Sequence, residues 1–164
     1  MKSDKRTLYL VRHAKAARMS NQIQDIDRPL HEAGIVEAYE MAELLFQSKD
    51  IPQLIISSPA ARAMSTALIF QRVLNVPDDK LKVTDKLYEV TLNDLYEVVA
   101  ELDDKYHSIM LFGHNPSFTQ LASKMEPAII HMSTGSVVRF DFEVEKWRHS
   151  SYINAEKKFF VFPK

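Results

Sequence analysis

Apolar positions fall along this chain in short runs that alternate with longer stretches of helical period. Thr7 to Val11 (T-L-Y-L-V) has the β-branched, leucine and aromatic make-up of a short buried strand. After a polar loop, Ile35, Ala38, Tyr39, Ala42, Leu45 and Leu44 or Phe46 recur at helical spacing and predict an amphipathic helix over 31–48. Leu54 to Ser57 predicts a second buried strand. Ser58-Pro59 then offers an N-cap and a first helical residue for a helix running to Leu74. Residues 81–88 hold a third strand, and Leu92, Leu95, Val98, Val99 and Leu102 make the cleanest helical stripe of the chain. Ser108 to Phe112 predicts another buried strand, and Asn115-Pro116 repeats the cap-and-proline start for a helix to Met125. From Ser136 to Val144 the pattern turns strand-like, with Val138, Phe140, Phe142 and Val144 on one face. Lys157 to Phe162 reads as a final strand.

Short buried strands alternating with amphipathic helices predict an α/β protein, a three-layer α/β/α sandwich with a mainly parallel central sheet. The C-terminal strand pair adds antiparallel edges. There is no repeat, low-complexity stretch or Pro/Gly/Ser linker, so 164 residues are read as one domain over 1–164. In such sheets ligands bind outside the carboxyl ends of the strands, which directs attention to the loops leading into helices.

Composition narrows the chemistry. With only Gly34, Gly113 and Gly135, neither a G-x-G-x-x-G fingerprint, nor a G-x-x-x-x-G-K-[ST] loop, nor a G-x-S-x-G elbow can be written. The absence of cysteine removes disulfides, thiolate nucleophiles, iron–sulfur clusters and zinc fingers. Phosphate, if handled, must be handled by side chains. Twenty-one Lys and Arg against 22 Asp and Glu give a net charge of −1, so no global field favours nucleic acid or a membrane surface. The charged start Met1-Lys2-Ser3-Asp4-Lys5-Arg6 is not a signal peptide, and no apolar run is long enough to span a bilayer, so the expected location is the cytoplasm.

The predicted strand ends carry Arg12 and His13, then Ser57-Ser58-Pro59 with Arg62 one turn on, then Gly113-His114-Asn115. A parallel sheet brings those junctions to one edge, and the following helices aim their N-terminal amides there. Two histidines and two arginines facing one point suit a phosphoryl group. Arginine presents a permanent planar donor fork, and a histidine beside such cations tends to be neutral and nucleophilic. The arginines then stabilise charge on the equatorial oxygens during transfer.

Leu10-Val11-Arg12-His13-Ala14, Asp27-Arg28-Pro29-Leu30 with Gly34, Ser57-Ser58-Pro59-x-x-Arg62-Ala63-x-x-Thr66-Ala67 and Gly113-His114-Asn115-Pro116 resemble the ordered motifs of the histidine phosphatase superfamily, the phosphoglycerate-mutase-like group. Within it, R-H-A, D-R-P-L and the compact length look most like the small SixA-type phosphohistidine phosphatases. The resemblance implies a phosphoglycerate mutase-like fold, with His13 as the nucleophile that becomes transiently phosphorylated. It also implies that Arg12, Arg62 and His114 hold the phosphoryl oxygens, and that Arg28 is a further phosphate-binding arginine. No metal or organic cofactor is implied.

The family's R-H-G has alanine here, Ala14, which requires a backbone without strongly positive φ. Glu89 lies in the interval where the family places its carboxylate proton donor; as a bare sequence position it reads equally as the solvated end of a strand. The short intervals between Arg62, Glu89 and His114 leave no room for an inserted helical lid. The site is therefore expected to be shallow and open, suited to a phosphohistidine on another protein more than to a small phosphomonoester. A non-catalytic phosphate-recognition module is the reading from another class; a helical phosphorelay transfer protein fits poorly with several strands. The six histidines contain no pair at metal-ligand spacing. Glu101 to Lys105 reads as a solvated helix end, Trp147 as packing, and Ser133-Thr134-Gly135-Ser136 either as a turn or as hydroxyls near the site. The protein is expected to act as a monomer.

Overall fold

A computed structural model describes residues 4–151 and 155–163 of the chain. Met1 to Ser3 of the charged start lie outside the described residues. The elements run β1 (Arg6–Arg12), α1 (Glu32–Gln47), β2 (Leu54–Ser57), α2 (Ala61–Val73), β3 (Leu81–Val83), α3 (Leu92–Ala100), β4 (Ser108–Gly113), α4 (Ser117–Met125), β5 (Val137–Phe142) and β6 (Ala155–Val161). The strands form one sheet in the order β3-β2-β4-β1-β5-β6. The first four in that order are parallel, β5 is added antiparallel to β1, and β6 antiparallel to β5. The mainly parallel sheet with an antiparallel C-terminal pair is as the pattern predicts.

Alternation along each strand divides the core into two layers. Leu8, Leu10, Ile109, Leu111, Val138, Phe140 and Phe142 face one side, where Leu95, Val98 and Val99 of α3 and Phe118, Leu121 and Ala122 of α4 cover them. Tyr9, Val11, Ile55, Met110, Phe112 and Val137 face the other, under Ala38, Met41, Ala42 and Leu45 of α1 and Ala67 and Phe70 of α2. The helices that follow β1 and β4 thus lie on opposite faces of the sheet, which makes the carboxyl ends of those two strands the switch point at which such sheets bind ligands.

Three expectations need correction. The buried stripe of α1 is Gly34, Ala38, Met41, Ala42 and Leu45, while Ile35, Tyr39, Leu44 and Phe46 are exposed. Small side chains let α1 approach closely, and at Gly34 a Cβ would stand 2.1 Å from the carbonyl oxygen of Lys15. Next, neither proline is the first helical residue. Ala60 caps α2, its carbonyl accepting from Ala63 and Met64, while Ser58 Oγ only closes a turn onto the Ala60 amide. Pro116 likewise caps α4, and Asn115 accepts from Thr119 from outside the helix. Lastly, the stretch after α3 is not merely solvated: Leu102 is buried, and Asp104 accepts from the Trp147 amide and from Arg6. Trp147 itself is fully buried.

Candidate active site

The register of the two central strands sets the site. Arg12 of β1 lies opposite Gly113 of β4, so the next residues, His13 and His114, leave the sheet side by side. Their ring centroids are 5.2 Å apart, and the His13 amide donates to the Gly113 carbonyl at 3.1 Å. Gly113 must lack a side chain here, because a Cβ would strike the Phe118 ring at 2.4 Å. From the other side the Ser133–Ser136 turn grips β1. The Gly135 amide donates to both the Arg12 and His13 carbonyls, with Gly135 in the left-handed region at φ 78. That segment supports the site through its backbone. Ala14 is buried, donates to Thr66 Oγ1 and does not have a positive φ, so alanine fits where the family motif carries glycine.

Each histidine has one ring nitrogen fixed by a partner. His13 Nδ1 lies 2.8 Å from the Ala14 carbonyl, which can only accept, so Nδ1 carries the proton and Nε2 keeps its lone pair. His114 Nε2 lies 2.8 Å from Ser58 Oγ. Ser58 Oγ also accepts from the Ala60 amide; where it gives its own proton to Nε2, the His114 proton sits on Nδ1. That Nδ1 is buried without a protein partner. Burial first, then the surrounding positive groups, pulls the His13 pKa down to about 3 and the His114 pKa to about 4. Both rings are neutral at physiological pH.

Three arginines converge on this pair. Arg12 donates to the Met132 carbonyl and Arg28 to the Ala17 carbonyl. The Nε atoms of Arg12, Arg28 and Arg62 are all buried without partners. Burial and the neighbouring Arg62 charge lower the Arg12 pKa. Arg62, on the first turn of α2, is only 5% exposed. Unsatisfied buried guanidinium and imidazole donors are costly unless a ligand completes them, and here they suit a tetrahedral oxyanion.

Two residues with no signal in the sequence complete the cluster. Asp25, in a single 3-10 turn, receives Arg62 Nη1 on its carbonyl at 2.7 Å and Arg62 Nη2 on Oδ2 at 3.0 Å. Tyr88 Oη donates to the same Oδ2 at 2.7 Å, and Arg28 reaches Oδ1 at 3.3 Å. These bonds, the one from Tyr88 foremost, hold the Asp25 carboxyl below its ordinary pKa. The Tyr88 ring stands edge-on to His114, with centroids 5.6 Å apart. Three guanidinium groups against one carboxylate leave a positive surplus that a dianionic phosphoryl group would balance.

Among the positions expected to act, Arg12, His13, Arg62 and His114 are brought together, with Arg28 beside them across Asp25. Glu89 is not brought against the histidines. It is exposed, with φ 53, and lines a cavity of about 280 Å³ with Lys86, Asp94, Glu97 and its neighbour Tyr88. His13 and His114 are 6% and 8% exposed. Among the described residues, no group of three or more His, Cys, Asp or Glu side chains is placed to hold a metal ion, and no helix is long and apolar enough to cross a membrane.

Comparison with known proteins agrees with this geometry. Residues 8–130 match the family model of the histidine phosphatase superfamily (branch 1). A crystal structure from Agrobacterium tumefaciens, assigned as the phosphohistidine phosphatase SixA, is 29% identical with a TM-score of 0.83, covering 96% of this chain and 98% of that one. The protein histidine phosphatase SixA complexed with tungstate shares the fold at 21% identity and TM-score 0.79, over 94% of this chain and 96% of that one. An uncharacterized chloroplastic protein of Arabidopsis thaliana is 30% identical over 137 residues. That match takes in 79% of this chain and spans 63% of the length of this curated relative.

Proposed function

The chain belongs to the histidine phosphatase superfamily (branch 1), and from that premise we propose that it is a phosphatase that removes phosphoryl groups from phosphohistidine on proteins. The observation that carries this reading is the fixed tautomer of His13, which leaves a neutral Nε2 beside a cradle of unpartnered donors. Nε2 attacks phosphorus, the P–N bond to the substrate ring breaks, and that ring departs with the electron pair. Arg12, Arg28, Arg62 and His114 Nδ1 hold the phosphoryl oxygens through the transfer. Water then attacks the phosphorylated His13, phosphate leaves, and Nε2 recovers its lone pair.

An imidazole leaving group, with a conjugate-acid pKa near ~6.5, needs little help from a general acid. In this reading Glu89 supplies a proton only where the leaving group is an alkoxide, so its exposed position is compatible with phosphohistidine hydrolysis. We read the chain as one catalytic domain over 1–164 that works as a cytoplasmic monomer without a metal or organic cofactor. The test is phosphate release from a phosphohistidine protein alongside small phosphomonoesters such as sugar phosphates. Faster turnover of the sugar phosphates would overturn the substrate assignment, and an active protein that forms no acid-labile phospho-enzyme in a single turnover would overturn the covalent route.

A further inference from the structure

Asp25 occupies an unusual place for a carboxylate in a cradle built for an anion. Its side chain is 35% exposed while that of Arg62, to which it is bonded, is 6% exposed, so it stands between the buried donors and solvent. Its capacity is unevenly used. Oδ2 takes both Arg62 and Tyr88, whereas Oδ1 takes only the long 3.3 Å contact from Arg28. An ionised carboxylate has about four acceptor sites, so Oδ1 has room for another donor.

When a phosphoryl group enters the cradle, whatever it is attached to remains at this rim, beside Asp25 and the Tyr88 ring. We infer that Asp25 is a specificity determinant: its Oδ1 accepts the ring N–H of a protonated phosphohistidine and repels leaving groups that carry or develop negative charge. This rests on the phosphatase reading above and narrows it to the charge of the leaving group. The balance is simple. A ring protonated on its unphosphorylated nitrogen is cationic; when the P–N bond breaks the pair stays on the ring, which departs as neutral imidazole. By favouring the protonated ring, Asp25 favours the form that leaves without becoming an anion. A phenolate, an alkoxide or a carboxylated substrate brings negative charge to the same spot.

The experiment compares kcat/KM at pH 7 for a phosphohistidine peptide and for p-nitrophenyl phosphate, in wild type, Asp25→Asn and Asp25→Glu. The expected result is that Asp25→Asn lowers the ratio of phosphohistidine to ester turnover at least about tenfold, the scale of one hydrogen bond to a charged group. Asp25→Glu restores most of that ratio. Equal losses on both substrates would show that Asp25 merely orients Arg62, and equal gains that it merely obstructs the cradle; either overturns the inference. Asp25→Ser serves the same comparison if the asparagine variant does not fold. A wild-type protein that hydrolyses only the ester would instead overturn the phosphohistidine reading, with the role of Asp25 identifiable separately from the variants.

Discussion

His13 Nδ1 is bonded at 2.8 Å to the carbonyl of the residue that follows it, Ala14. The ring of His13, the proposed nucleophile, is therefore oriented by its own backbone, which leaves Nε2 as the nitrogen available for attack. A trapped phospho-enzyme should carry phosphate on Nε2 of His13, read by NMR of the denatured, base-stabilised protein. Phosphate on Nδ1 would contradict the assignment. His13→Ala should form no phospho-enzyme and lose turnover, while tungstate or phosphate still binds.

Arg62 contributes a buried guanidinium whose Nε has no hydrogen-bond partner in the protein. Arg62→Ala should lower kcat by about 10²–10³, the loss seen on removing one preorganised oxyanion donor. It should also weaken inhibition by inorganic phosphate, measured as the inhibition constant. An unchanged constant would place Arg62 outside the cradle.

Ser58 acts on the cradle through His114 Nε2. Ser58→Ala removes the hydroxyl partner of His114 Nε2 and should reduce kcat/KM about tenfold, the order of one hydrogen bond. The sign of a positioning role would be a shift of the His114 ring resonances with little change in unfolding midpoint.

The parts of this site that were legible in the sequence are those held by strands. Arg12, His13, Ser58, Arg62 and His114 each sit at or just beyond a strand whose apolar run marks it, and β/α alternation alone brings such ends together. Asp25 and Tyr88 are held by an irregular loop and by a turn beside a left-handed residue, where no period exists and a carboxylate looks like any solvated one. At Glu89 the residue pattern likewise does not mark the left-handed backbone, φ 53, that the structure has there. In α1, helical spacing indicated an apolar helix but not which side is buried, because Gly34, Ala38 and Ala42 win the close contact by being small.

Acid should weaken the fold through the two histidines. Their folded pKa values, about 3 for His13 and about 4 for His114, lie below the unfolded value near ~6.5, so the unfolded chain takes up protons that the folded one refuses. Stability should fall as pH drops below about 6.5 and level off near the folded values, by about 2 kcal/mol per histidine at pH 5. Urea unfolding between pH 4 and 8 measures this, and the decline should shrink in His114→Gln.

Away from the site, Arg139 of β5 bridges two buried carboxylates. It donates to Asp50, which Tyr9 Oη also reaches at 3.1 Å, and through Nε and Nη2 to Asp141 at 3.1 and 3.2 Å. Arg139→Met would leave Asp50 to Tyr9 and Asp141 to Lys5 and Thr7, and should cost about 1–3 kcal/mol in urea unfolding, the order of hydrogen bonds to a charged group.

The polar loop between β1 and α1 is closed on itself by two isolated bridges, Ala16 to Leu30 and Ser20 to Ile23, and by Arg28 on the Ala17 carbonyl, while Asp25 ties it to Arg62 and Tyr88. The two histidines, by contrast, are fixed by sheet register. The histidine pair and the rim carboxylate are thus borne by separate stretches of chain that meet where Arg62 is bonded to Asp25. A change of length or charge at residues 18–24 that keeps Asp25 on Arg62 would reshape the rim without disturbing a strand.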